Sequence, residues 1–399
     1  MKNQKFDHFF ISPVYDLKKK KTSDILKKNN INNIEKIILH ERIYYGDRNK
    51  AKIVSKFCSY LDSIEKHLIK IDYKNYFILQ ELGGFASNMS MYYLSKKLKI
   101  NNYFIEPAFF KGRFHITKNT LKCDPISNIK LDTKNFNKVF KNLIKNKNIV
   151  IPKKDLLHFK SPIFHIFNIK NILRFLNKLY KIYILNYKFE FEEITKYSIS
   201  FLKNFINYLF LLPIYKNNLD KKKFYYFPLH VPNDFALTVR SPDYIDQIKL
   251  INQIQKKLSS KITLVIKEHP ARIGAINFLK IYKLIKNDKI KILNPKINTY
   301  DIIEKSEGVI TINSKTGFEA LIKKKPLYVL GESYYKNQNF ITYINTYTNF
   351  KNNKITPQLK ETKLFFMNLY KKTFLGELYF LKNNNINSFT KSIKKLNAN

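Results

Sequence analysis

Acidic residues are scarce in this chain of 399 residues: 30 Asp and Glu stand against 73 Lys and Arg, a formal charge of +43. Such a balance favours a partner of opposite sign, whether anionic lipid surface, nucleic acid or phosphorylated substrate. Against that, the basic residues are spread along the chain, and Lys, Asn, Ile, Tyr and Phe dominate throughout. Compositional drift accounts for the charge equally well. Cysteine is nearly absent. Cys58 and Cys123 lie far apart, with neither metal-ligand spacing nor a disulfide framework, which fits a reducing compartment. Long apolar runs are missing too. The longest, near Tyr208–Tyr215, is too short to span a bilayer, and Met1–Lys21 lacks the apolar core of a signal peptide. The expected location is the cytoplasm, soluble or peripheral on the inner face of the cytoplasmic membrane.

Several motifs are absent as well. No DxD triplet offers carboxylates for a metal–diphosphate bridge, and neither HExxH nor CxxC occurs, so chemistry without a metal or cofactor is expected. The lack of GxSxG argues against a serine hydrolase, and the lack of GxxxxGK[ST] against a Walker loop. No RNA- or DNA-binding motif and no internal repeat is present, so no specific nucleic-acid partner is expected.

What is present is enough apolar sequence, 44%, for two domains with real cores. The first, 1–216, reads as α/β with a helical insertion. Glu35–Glu41 (EKIILHE) and Asn75–Glu81 (NYFILQE) look strand-like, followed by a Gly-Gly turn, an amphipathic helix and a strand at Asn102–Pro107, which makes a βαβ unit. Ile163–Tyr215 is aromatic, basic and helical in pattern, including Tyr180, Tyr183, Tyr187 and Phe189. A packed helical subdomain is one reading of it, an acceptor- or membrane-contacting face the other. Asn217–Lys223 (NNLDKKK) is the linker candidate. In 217–399 strands and helices alternate: FYYFPLH, a helix at Tyr244–Leu258, ITLVIKE, a helix at Ile276–Ile285, KIKIL, a helix at Thr299–Lys305, GVITI, a helix at Thr316–Lys323 and PLYVL. That alternation predicts a parallel, doubly wound sheet. From Leu364 onward the chain reads as helix packing back on the first domain, with Asn383–Asn385 as a loop.

Polar residues gather where these strands end, which is where open α/β sheets bind ligands. KEHP (Lys267–Pro270) closes one strand. Pro270 stops it and aims His269 out of the sheet, where an imidazole can donate to a phosphate oxygen or assist a departing phosphate; Lys267 alternates with it. The simpler reading is a satisfied histidine in a turn. Asn313, Ser314, Lys315, Thr316 and Gly317 turn into a helix, with Ser314 a natural N-cap and exposed N–H groups and hydroxyls that suit an anion. Gly317 allows close backbone approach. Glu319 either caps that helix or accepts from ribose hydroxyls. After the first strand of this domain come His230, Asn233 and Asp234, then Arg240 and Ser241, on the same edge as KEHP, where the loop is placed to meet donor or acceptor. Asp234 is a catalytic candidate and His230 an acceptor-side one, and an Asx-turn is the plain reading of Asp234. In the first domain, Glu81 ends a strand before Gly83 and Gly84. A carboxylate there suits a general base for an acceptor hydroxyl, with the glycines admitting substrate to the backbone. Arg113 and His115 are further acceptor-side candidates.

Taken in order, FPLHVPND, KEHP and TINSKTGFEALIKKKPLYVLGESYY resemble the capsule polysaccharide biosynthesis family, which includes Kdo transferases. Pro228, Leu229 and Asp234 match its first element, with His230 in place of the usual glutamine. Lys267, His269 and Pro270 match the second, and Ser314, Thr316, Gly317, Phe318, Glu319 and Ala320 the third. Gly331 and Tyr335 match the last. The resemblance covers Tyr225–Tyr335 well and the first half loosely. It implies a GT-B-like architecture of two Rossmann-like domains facing a cleft, and a glycosyltransferase that moves an acidic sugar such as Kdo or sialic acid from a CMP-activated donor to a glycan or glycolipid acceptor. His269, Ser314 and Thr316 inherit the phosphate contact, and Glu319 a ribose contact. A related transferase with a UDP- or CDP-linked donor, and an inactive basic binding protein, remain as alternatives. Polyol-phosphate transferases usually carry an acid where Asn313 stands.

Overall fold

The computed structural model describes residues 14–45, 50–71, 76–124, 126, 134–145, 169–187, 194–219, 222–344 and 354–395. Asn75, the start of Ile163–Tyr215 together with Phe189, and the middle of the linker Asn217–Lys223 lie outside them. In chain order the elements begin with α1 (Lys19–Lys28), α2 (Ile34–Tyr45), α3 (Lys50–Lys70), β1 (Ile78–Glu81), α4 (Ala86–Leu98), β2 (Asn102–Pro107) and β3 (Arg113–Lys118). Next come α5 (Lys134–Lys145), α6 (Ile169–Tyr183), α7 (Ile194–Leu211), β4 (Phe224–Pro228), α8 (Phe235–Thr238), α9 (Gln247–Gln255), β5 (Thr263–Lys267), α10 (Phe278–Ile285) and β6 (Ile290–Leu293). The chain continues with α11 (Thr299–Lys305), β7 (Gly308–Thr311), α12 (Thr316–Ile322), β8 (Leu327–Val329), β9 (Thr342–Tyr343), α13 (Leu359–Lys371), β10 (Thr373–Leu375) and α14 (Asn383–Lys394).

The second-half strands form a six-stranded sheet in the order β6-β5-β4-β7-β8-β9, parallel throughout. Every residue of β4 and β5 is buried, as a parallel sheet covered on both faces requires. Alternate residues feed two cores. Tyr226, Val265 and Val309 belong to one, and Phe227, Leu264, Ile266 and Ile310 to the other. This is the doubly wound sheet that the alternation of strands and helices predicts. Its strand order reverses between β4 and β7, so the crevice at their carboxyl ends is the topological switch point, where ligands bind in such folds.

The first sheet has the order β1-β2-β3-β10. β1 and β2 are parallel around α4, the expected βαβ unit, while β3 runs antiparallel to β2 and the edge strand β10 antiparallel to β3. β10 comes from the C-terminal stretch, so that stretch does return to the first unit, with α14 closing over β10. Two α/β units thus face one cleft, as the resemblance implies. α7 packs on the second unit: Leu211 sits in its core, and the Asn207 amide donates to the Gly274 carbonyl at 2.9 Å.

Two local expectations fail. Glu35–Glu41 is not a strand but lies inside α2. Its buried residues Ile37, Ile38, Glu41 and Tyr45 follow helical spacing, and Glu41 accepts from the Lys56 ammonium (2.6 Å) on α3 and from the Ala86 N–H (2.8 Å). The β-branched run is strand-like in composition, but this buried ion pair and the helical burial decide it. Asn383–Asn385 is the first turn of α14 rather than a loop. Asn385 anchors that turn by accepting from the Glu377 N–H and donating to the Glu377 and Phe380 carbonyls, each at 2.8 Å.

Candidate functional site

A cavity of about 560 Å³ opens at the switch point, with walls from both units. The second unit contributes the ends of β4, β5 and β7: His230 and Asp234, His269 and Pro270, and Asn313 to Thr316. The first unit contributes Tyr44, Glu81, Glu106 and His115. Glu81, Asp234, His269 and the Ser314–Thr316 turn, expected from separate stretches of sequence, therefore line one space.

At the end of β5, the Ala271 N–H donates to His269 Nδ1 (3.3 Å). Nδ1 is then the acceptor, and the proton of the neutral ring resides on Nε2. Burial pushes the imidazole down to about 4, against the pull of Asp234. His269 is neutral at pH 7, a hydrogen-bond donor through Nε2–H rather than a cation. Its neighbours in KEHP serve the scaffold. The Lys267 ammonium donates to the Ile297 carbonyl (2.7 Å) and the Thr299 hydroxyl (2.8 Å); burial draws it down to about 8, opposed by Glu319. Glu268 accepts from the Tyr215 hydroxyl and the Gly274 N–H, and burial raises it to about 7. The expectation of Lys267 as a donor contact thus meets an ammonium committed to the loop before α11.

At the end of β7, Ser314 Oγ accepts from the Thr316 N–H (3.1 Å), although Lys315 occupies the cap position of α12. The Tyr335 hydroxyl donates to the Ser314 carbonyl (2.6 Å). A Cβ on Gly317 would lie 2.4 Å from the Tyr335 ring. Gly317 therefore admits that ring, not the ligand, and the spacing of Ser314, Gly317 and Tyr335 is one interlocked contact. Asn313 donates through Nδ2 to the Ala236 carbonyl (2.6 Å) and to Ser241 Oγ (3.0 Å). Its amide stitches the β7 turn to the β4 loop, which an Asp could not do. Glu319 is buried with Oε2 unpartnered. Burial raises its carboxyl to about 8 against the charges of Lys267 and Lys315.

At the end of β4, the His230 backbone is fixed both ways by the Gln247 side chain (2.7 and 3.1 Å). Its Nε2 is buried without a partner, and burial pushes the ring down to about 4. Asp234 accepts from the Ala236 N–H (3.2 Å) as the N-cap of α8, and its charge bears on His40, His230 and His269. Capping and electrostatic tuning coexist there.

On the first unit, Glu81 reaches the cavity from the end of β1 and accepts from the Tyr379 hydroxyl. Two acceptor-side expectations give way. A Cβ on Gly83 would meet the Asn88 side chain at 2.7 Å, and one on Gly84 the His40 ring at 2.5 Å, so the glycines make room for protein, not substrate. Arg113 turns away: it donates to the Thr373 carbonyl (2.7 Å) and lies 4.2 Å over the Tyr370 ring, joining β3 to β10 and α13. His115 does line the cavity, stacked on Tyr334 with centroids 4.6 Å apart.

The sequence reading missed the contacts between units. Glu106, at the end of β2, accepts from both Arg240 Nη2 (2.7 Å) and Nη1 (3.1 Å) and from the Tyr334 hydroxyl. Arg240 holds the half-buried Glu106 carboxyl down at about 2. The Thr238 hydroxyl donates to the Asp234 carbonyl (2.8 Å), so it accepts from His40 Nδ1–H (2.7 Å). The available signal was the one used for Glu81, an acid closing an apolar strand.

The profile described as "Capsule polysaccharide biosynthesis protein" matches residues 176–379. "Capsule polysaccharide export protein KpsS" of Escherichia coli is 29% identical over 179 residues, 43% of this chain and 45% of that protein. "Capsule polysaccharide modification protein LipB" of Neisseria meningitidis serogroup B is 26% identical over 211 residues, 49% of this chain and 50% of that one. The chain spans about half the length of these curated relatives. Among solved structures, Thermosulfurimonas dismutans KpsC, beta Kdo 2,7 transferase, overlaps 80% of this chain and 83% of its own at 17% identity and a TM-score of 0.38. That overlap is too loose to carry a role across. The profile covers just over half of the residues, including KEHP and the Ser314–Tyr335 interlock around the cavity: the chain belongs to the capsule polysaccharide biosynthesis protein family.

Proposed function

We propose that this chain is a glycosyltransferase of capsular or related surface polysaccharide synthesis. In this reading it moves an acidic sugar such as Kdo or sialic acid from a CMP-activated donor to a glycan or glycolipid acceptor, in the cytoplasm at the inner face of the membrane. The observation that carries the reading is the meeting of Glu81 from the first unit with His269, Ser314 and Thr316 from the second across one cavity at the switch point. The donor phosphate lies by the Ser314 and Thr316 hydroxyls and receives a hydrogen bond from His269 Nε2–H, with Lys315 adding positive potential. Glu319, buried beyond them, faces the ribose. The acceptor hydroxyl enters from the Glu81 side. Its oxygen bonds to the anomeric carbon as the bond from that carbon to the CMP phosphate oxygen breaks. The hydroxyl proton passes to the Glu81 carboxylate and the bonding pair leaves with CMP. A neutral His269 suits this step, because it strengthens its hydrogen bond as charge grows on the leaving phosphate. Asp234 sets the electrostatics of the three histidines around it.

The test is release of CMP from a CMP-activated acidic sugar by purified protein, with and without glycan acceptor. Acceptor-dependent release supports the reading. Release only from UDP- or CDP-linked sugars replaces the donor, and release from none with intact nucleotide binding favours a binding protein.

A further inference from the structure

The outer face of α6 and α7 is built unlike a water-facing surface. Not one side chain of α6 is buried. Ile169, Ile172, Leu173, Leu176, Tyr180 and Tyr183 are 39–67% exposed, and their i, i+3, i+4, i+7 spacing sets them on one stripe. α7 leans on α6 and repeats the pattern outward: Ile199, Leu202, Ile206 and Leu209 are exposed, while Phe201 and Leu211 turn inward and Phe210 stacks on Phe278. The two helices carry four and two basic residues, and neither carries an acidic one. No helix among the described residues is long and apolar enough to cross a membrane.

We infer that this face docks the protein on an anionic bilayer, with both helices lying in the interface and their basic residues at the lipid phosphates. An apolar stripe flanked by cations of one sign fits lipid headgroups above acyl chains. A second copy of the chain is disfavoured, because pairing two such faces sets like charges against each other.

The face is coupled to the site. Asn207 of α7 donates to the Gly274 carbonyl (2.9 Å) and accepts from the Phe278 N–H (3.3 Å), and Arg272, on the cavity wall, stacks 4.6 Å over Phe201. Gly274 has φ +74°, and a Cβ there would lie 2.0 Å from the Asn204 carbonyl oxygen. The loop that carries His269 is thus clamped to the inner side of α7, which holds the cleft beside the bilayer. Only the link to a lipid-borne acceptor rests on the function proposed above.

The test uses phosphatidylglycerol/phosphatidylcholine vesicles against phosphatidylcholine alone. The full chain should co-sediment with the former and weakly with the latter. L173E/L176E/L202E/I206E should lower partitioning about tenfold or more, with the far-UV spectrum and nucleotide-induced thermal shift retained. The chain has no tryptophan, so L176W gives a single reporter whose emission should move to the blue on vesicle addition, independently of how the quadruple variant folds. Absence of wild-type binding to anionic vesicles, equal binding by the quadruple variant, or an unmoved L176W emission would each overturn the inference. So would a concentration-dependent dimer that the same substitutions abolish without any vesicle binding.

Discussion

Arg240 reaches from the second unit to both carboxylate oxygens of Glu106 at the end of β2, at 2.7 and 3.1 Å, with its side chain 6% exposed. Across the same gap His40 donates to Thr238. These contacts fix how far the edge bearing Glu81 stands from the edge bearing His269.

Removing one member of this part-buried pair leaves the other charge without its main partner, at a cost of about 1.5–3 kcal/mol. Arg240→Met and Glu106→Leu should each lower stability by roughly that amount, while the double variant should lie closer to wild type. Urea unfolding of the four proteins measures the coupling. Strict additivity would remove the pair from the account of how the units are held.

Gly317 and Tyr335 are expected to behave as one contact. Gly317→Ala forces a methyl against a ring that is 1% exposed and should cost about 1–3 kcal/mol, together with nucleotide binding. Tyr335→Phe keeps the ring, loses the hydroxyl that donates to the Ser314 carbonyl, and should cost about 1 kcal/mol. Thermal melts with and without nucleotide separate the two. A silent Gly317→Ala would show that this turn tolerates displacement.

His269→Ala should lower turnover about 100-fold, the scale of a lost transition-state hydrogen bond, with little change in melting temperature. Glu81→Gln should lower kcat while leaving nucleotide affinity intact. Loss of nucleotide binding in Glu81→Gln instead would move that carboxylate to the donor side. Unchanged turnover in His269→Ala would remove the phosphate contact.

Acid should unfold the protein early. His40, His115, His230 and His269 are all pushed by burial from the usual 6.5 to about 4. Between those values the unfolded chain binds protons that the folded one refuses. The stabilisation is therefore complete above 6.5 and is lost as pH falls through 4. Glu268 and Glu319, raised by burial to about 7 and about 8, work in the opposite direction, losing stability as pH rises from the usual 4.5 toward those values. Four groups against two make the acid limb the steeper, and His269→Ala should flatten it. Urea midpoints across this range test the sign; stability that rises on acidification below 6.5 would contradict the burial of these rings.

The second sheet was legible because parallel strands buried on both faces are unbroken apolar runs, and their last residues are polar where the cavity begins, as in Ile266-Lys267-Glu268-His269. Roles within those motifs were less legible. Lys267 and Gly317 look like ligand contacts from residue type alone, but the Lys267 ammonium is taken up by the Ile297 carbonyl and the Thr299 hydroxyl, and Gly317 is shaped by Tyr335, which follows it after a helix and a strand. α2 was misread because Ile37 and Ile38 are β-branched, while its partner Lys56 lies a helix away. Contacts between the units leave the weakest trace: Glu106 and Arg240 are 134 residues apart, and His40 and Thr238 are 198 apart.

The most direct measurement of the central claim is a thermal-shift comparison of CMP, CDP, UDP and GDP, since a ligand that binds only the folded state raises the melting temperature. Selective stabilisation by CMP, reduced in His269→Ala, is the predicted result. No response to any of the four nucleotides would contradict the reading of this cavity as a donor site.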